Sequence, residues 1–407
     1  MPEVESRSRR ARLAWSTVVL VPLAVAAVLG PLLAQGREEV SAGPSAERSA
    51  RQAAAATAAR LAESGLLDVP VRFTVANRNE SLLPCTSDGE EYLLEGHLTG
   101  PAGLLAGPEP EVDLYQHGQS GGEWAWRLDE PGLHHTEEMA RLGRVSVTVE
   151  RLGYGEGEQP PGLAVCLGSQ ADMTSQVIEQ LRSGSYAIET VPGGPERAPA
   201  FSRVSLIGHQ SGAQIAEIAA YSSPGPGGPD ALVLLGWAGA GASDAAMARF
   251  FGGLAACMQG GVPAGAAGAQ SGAPEPGGAE AEPAPAGYVY VEPGRAVFTE
   301  ANFHAPDSVA AGLAAQSQER TPCGELGSQI EAQAVGSRHL PRITVPVLAA
   351  YGERDEQIDD AEGHLRSFTG SVRTDSIVVP EAGGYLMLEA GAPQFRERLA
   401  EWLEARA

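Results

Sequence analysis

The sequence predicts an α/β fold with a mostly parallel central sheet flanked by helices, and three observations carry that prediction. Short apolar or β-branched runs recur from about Val71 onward: VRFTV, YLLEGHLTG, VDLYQHG, VSVTVERLG, VSLIGHQSG, ALVLLGWAG, VPVLAAYGERD and SIVVPEAGG. Helical stretches lie between several of them, such as Ser169 to Arg182 and Ala213 to Tyr221. The chain closes on APQFRERLAEWLEARA, where Phe395, Leu399, Trp402 and Leu403 share one helix face. Alternation of strand and helix is the pattern of a parallel sheet covered on both faces.

The first two runs are expected to form an antiparallel hairpin at the sheet edge. Residues 71–240 then make the first part of the core and 339–407 the second. The alternation breaks at 241–338, which is expected to be a cap-like insertion. Inside it, 260–287 is a Gly/Ala/Pro tract too poor in apolar side chains to fix one conformation. Ahead of the core, 35–70 is polar and Ala-rich with no wide apolar face, and reads as a stalk.

Arg7, Arg9, Arg10 and Arg12 precede an uncharged run from Leu13 to Ala34 that is long enough to span a bilayer as a helix. The arginines would hold residues 1–12 on the cytoplasmic side and place everything after Gly36 outside. The expectation is a single-pass cell-membrane anchor at 13–34 with the bulk extracytoplasmic. The alternative is secretion after signal cleavage, although Leu32 and Ala34 make a poor cleavage pair. The 51 acidic residues against 28 basic ones, every one of them Arg, repel phosphate backbones, so nucleic acid is excluded as a partner.

Four cysteines in an oxidising compartment suggest two disulfides, for which three connectivities exist. Cys257 and Cys323 bracket the insertion and are paired here, which leaves Cys85 to Cys166. No CxxC or HxxxH spacing accompanies them, and no P-loop or dinucleotide fingerprint occurs, so neither metal nor cofactor is expected.

The ordered set VDLYQHGQSGGEWAW, VSVTVERLGYGEGEQPPG, VSLIGHQSGAQIAEIAAY, VPVLAAYGERD and IVVPEAGGYLMLE resembles the α/β-hydrolase family, from roughly Glu91 to Ala407 apart from the insertion. The resemblance implies an α/β-hydrolase fold with a cap. In that family a strand enters a sharp G-x-S-x-G turn that presents a nucleophilic Ser, served by a His and a carboxylate. With Gly208 and Gly212 at the flanking small positions, the nucleophile slot holds Gln210, which has no group able to form an acyl intermediate. The His slot in PEAGGYLMLE holds Gly384. Only the acid position persists, as Asp355, for which a loop Asp capping the next turn is the plainer reading.

The resemblance also implies an oxyanion loop at His117, with backbone donors at Gln119 and Ser211. Gln210 filling that hole with its own amide oxygen is an equal alternative. The resulting expectation is a non-catalytic member that binds a small ester-like or apolar ligand, or an unidentified protein partner. The alternative is an active hydrolase of carboxylic esters using Ser211, which would put His209 and Ala213 at the flanking positions, with a relocated base such as His304 or His364. A third reading is a structural module without a ligand.

Overall fold

The computed structural model describes residues 60–108, 110–260, 286–306 and 308–405. The expected cytoplasmic tail (1–12), the anchor (13–34), most of the stalk and nearly all of the 260–287 tract lie outside these residues. Among the described residues no helix is long and apolar enough to cross a membrane.

The sheet contains β1 (Leu66–Ala76), β2 (Glu91–Pro101), β3 (Glu111–Gln116), β4 (Ser146–Val149), β5 (Ala187–Ile188), β6 (Arg203–His209), β7 (Ala231–Leu235), β10 (Val347–Gly352) and β11 (Thr374–Val379). Their order is β11-β10-β7-β6-β3-β4-β2-β1-β5. From β4 to β11 all neighbours run parallel, whereas β2, β1 and β5 are added antiparallel. The mostly parallel sheet expected from the sequence is therefore present.

The first two runs do pair antiparallel, but the two-residue β5 lies outside them, at Val71 and Arg72. β1 also starts at Leu66, ahead of the Val71 expected. Leu61 is fully buried with Leu66 and Ala140, and Arg60 pairs with Glu137. One apolar residue in a polar stretch leaves no periodic signal, so this attachment was invisible to pattern.

Each central strand divides its side chains between the two faces with period two. After a short helix α1 (His135–Arg141), two longer helices cover the sheet: on β7, Leu232 and Leu234 enter one core cluster with Ile215, Ile218 and Val177 of the covering helices α2 (Leu167–Ser183) and α3 (Ser211–Ser222). Val233 and Leu235 enter the other, with Phe395, Leu399 and Leu403 of a closing helix spanning Ala392–Ala405. Central strands buried on both faces need apolar residues at every position, hence the uninterrupted ALVLL.

Between β7 and β10 the described residues form a helical cap with a two-stranded ribbon, β8 (Tyr288–Val289) with β9 (Thr321–Pro322). Its helices span Asp244–Met258, Arg295–Asn302, Ser308–Gln316 and Cys323–His339. Phe250, Val289, Val291 and Leu326 give it a small core. Two disulfides are present. Cys257–Cys323 ties two cap helices, and Cys85–Cys166 ties the β1–β2 connection to the start of α2.

Removing the second of these cross-links, which joins residues 81 positions apart, should cost about 2–4 kcal/mol of stability through the freed unfolded chain. Urea unfolding of Cys85→Ala/Cys166→Ala checks this, and an unchanged midpoint would show that the bond constrains nothing.

Candidate functional site

β6 ends at His209, α3 begins at Ser211, and the single residue between them is Gln210, with φ 49° and ψ −120°. A non-glycine side chain rarely accepts this conformation, and it is the conformation of a strained strand-to-helix elbow. The flanking glycines permit it. A Cβ at Gly208 would fall on the backbone of Gly212 and Ala213, and one at Gly212 on the carbonyls of Gln116 and His117. Sterics thus place the elbow at 210, and Ser211 is the first residue of the helix.

Gln210 packs against the loop after β3, where a Cβ at Gly118 would lie 2.8 Å from Gln210 Oε1. Its Nε2 donates to Asn302 Oδ1 at 2.7 Å, and that oxygen also accepts Gln357 Nε2 at 2.9 Å. The Gln357 backbone N–H in turn donates to Asp355 Oδ1 at 2.9 Å. A chain of amides therefore links the elbow to the acid position. Gly384 lies beside that chain. A Cβ there would sit 3.4 Å from Asp355 Oδ2 and 3.5 Å from Gln210 Nε2, in the gap where a side chain would touch both.

Asp355 is nearly fully buried and its Oδ2 has no hydrogen-bond partner. Burial raises its pKa to about 6, against the opposing hydrogen bond from Gln357 and the field of Arg249. His209, on the strand just before the elbow, enters the sequence reading only as a bulky flank of the Ser211 register. Its Nε2 lies 3.0 Å from the carbonyl of Gly384, and burial lowers its pKa to about 4, so it is neutral and donates that bond. Its ring packs on Tyr385 and Trp126.

Ser211 donates its hydroxyl to Glu325 Oε1 at 2.8 Å. Glu325, on the cap, also receives Arg151 Nη1 at 2.9 Å, Arg151 Nη2 at 3.4 Å and the Tyr154 hydroxyl at 2.9 Å. Four donors, the Ser211 hydroxyl among them, occupy the four lone-pair directions of this carboxylate, and its charge is balanced by the Arg151 guanidinium, so Ser211 is tied into a buried ion pair. Nothing in the sequence pairs position 325 with 211, because the contact is made across the insertion.

The other candidate histidines lie elsewhere. His117 is fully buried, with Nδ1 on the Gly118 carbonyl at 3.0 Å and Nε2 3.0 Å from Glu150. His304 is half exposed beside Glu381. His364 Nε2 is 2.6 Å from Glu217 on α3. All are engaged with groups other than Ser211.

Under the cap, Gln119, Gln210 and Ser211 line a cavity of about 160 Å³. Gln329, Gln333 and Gln357 add further amides, and Trp237, Met247, Phe250, Phe251, Ile330 and Ile358 supply an apolar wall. Among the described residues, no charged side chain lines it. Gln119 and Gln329 keep buried amide oxygens without partners.

No model of a known protein family matches the sequence, and no curated protein matches it. Solved structures do. A structure from Burkholderia cenocepacia described as an aryl esterase is 16% identical, with 82% of this chain and 98% of that one covered and a TM-score of 0.50. A thermophilic esterase from Thermogutta terrifontis is 14% identical, with 82% and 99% covered and a TM-score of 0.50. The chain has the α/β-hydrolase fold. At these identities the likeness concerns architecture alone, and within the α/β-hydrolase frame of this chain the elbow carries Gln210.

Asp355 has a testable signature. The native state holds its proton up to about pH 6, whereas an unfolded chain releases it near pH 4. Native protein therefore binds more protons in that window, and the carboxyl lowers stability as pH rises through it. Asp355→Asn keeps the acceptor for Gln357 and should be more stable than the parent by about 1–3 kcal/mol above pH 6, converging on it toward pH 4. Urea midpoints across pH read this, and a pH-independent difference would contradict it.

Proposed function

We propose that this protein is a non-catalytic α/β-hydrolase-fold protein that binds a small neutral ligand in the cavity beneath the cap. The observation that supports it most is the pairing of Gln210 at the elbow with Gly384 beside Asp355. The first position has no nucleophile and the second has no imidazole. Acyl transfer needs an activated oxygen or sulfur and a base within hydrogen-bond reach. Gln210 offers an amide already tied to Asn302, and Ser211 lies on the first turn of the helix after the elbow, with its hydroxyl held by the Arg151–Glu325 ion pair and no imidazole bonded to it.

The cavity wall sets the ligand class. An uncharged lining excludes a ligand with a net charge buried against it, since an unpaired ion is costly to desolvate. Orphan amide oxygens at Gln119 and Gln329 call for donors such as hydroxyl or amide N–H groups. An apolar body with one or two such donors satisfies both requirements. The reading includes a placement at the extracytoplasmic face of a membrane. It is supported by the arginine-flanked apolar run from Leu13 to Ala34 and by the two disulfides.

A fluorophosphonate probe should leave the parent protein and Ser211→Ala equally unlabelled. Gln210→Ser combined with Gly384→His should acquire labelling at position 210, because the acid and the elbow geometry are in place. Labelling of the parent that disappears in Ser211→Ala would replace this proposal with an active hydrolase.

A further inference from the structure

A second cavity, also of about 160 Å³, lies between α3, the last cap helix and the short helix at Ala361–Leu365. Gln214, Glu217, Trp237, Gln333, His364 and Ser367 are among its lining residues, and it shares only Trp237 and Gln333 with the cavity under the cap. Neither the elbow nor Asp355 borders it.

Its chemistry differs from that of the first. Glu217 is 4% exposed and His364 2%. Glu217 Oε1 accepts the Trp237 indole N–H at 3.0 Å and lies 2.6 Å from His364 Nε2, which must carry the proton between them. In the neutral imidazole the remaining nitrogen is an acceptor. That atom, His364 Nδ1, is buried without a partner, as is Gln214 Oε1. Two acceptors on residues that line the pocket, His364 Nδ1 and Gln214 Oε1, are therefore left without donors, next to the Glu217 carboxylate, whose Oε1 is already occupied.

We propose that this cavity binds a small primary ammonium ion. An ammonium head presents three N–H donors and one positive charge, which matches a carboxylate, an imidazole nitrogen and an amide oxygen. Trp237 adds an indole at the wall against which an alkylammonium packs. The half-buried Ser367 and exposed Ser337 mark the side open to solvent. This inference stands apart from the reading of the elbow, since the two linings carry different chemistry and either can fail alone.

Titration of the full chain with n-propylammonium chloride, followed by tryptophan fluorescence and calorimetry, tests it against sodium chloride and sodium propionate at equal ionic strength. Saturable binding of propylammonium alone is expected, with the fluorescence response lost in Trp237→Phe. Glu217→Gln should weaken binding on the order of tenfold or more, because the charge pair is desolvated. If that variant does not fold, Gln214→Leu serves in its place, with weaker binding again expected. No saturable response in the parent, saturation by propionate instead, or unchanged affinity in a folded Glu217→Gln would overturn the proposal.

Discussion

The sharp turn at Gln210 is the constraint on which the rest of the site depends. Its left-handed backbone forces the neighbours at 208 and 212 to be glycine, draws the loop after β3 close enough to touch the turn, and points one side chain out of the strand end into the space under the cap. A backbone conformation of this kind costs free energy unless the surrounding structure over-determines it. Here it is held by β6 on one side and α3 on the other, both fully buried along the contact. What the elbow presents to the space under the cap is an amide.

Around that amide the cap supplies the partners. Asn302 takes Gln210 and Gln357 on one oxygen and the main chain of Gly384 and Tyr385 on its carbonyl. One cap residue thereby closes the elbow, the Asp355 turn and the backbone at Gly384 into a single network. Glu325 does the corresponding work for Ser211, through Arg151 and Tyr154. Gln210 and Ser211 are thus both satisfied by hydrogen bonds, as buried polar groups usually are. Asp355 Oδ2 has no partner, and burial raises the pKa of its carboxyl.

The fold and the elbow register were legible in the sequence because both are governed by local rules. Uninterrupted apolar runs mark strands buried on two faces, and a glycine two residues either side of one position marks a turn that admits no Cβ. The network was not legible, because Asn302 and Glu325 reach the site across an insertion whose own pattern carries no strand–helix alternation. The sequence marks His209 only as a bulky flank of the Ser211 register, because its bond to the Gly384 carbonyl is made by residues far apart in the chain. The strand start at Leu66 was missed because its anchor, Leu61, is a single apolar residue.

The central proposal is that the site under the cap is non-catalytic, and its most direct test is intact-mass spectrometry after incubation with p-nitrophenyl acetate. The account predicts a protein mass that is unchanged over time, with acetate release no faster than that of the Gln210→Ala variant. A stoichiometric acetyl adduct that maps to Ser211 and turns over would contradict it.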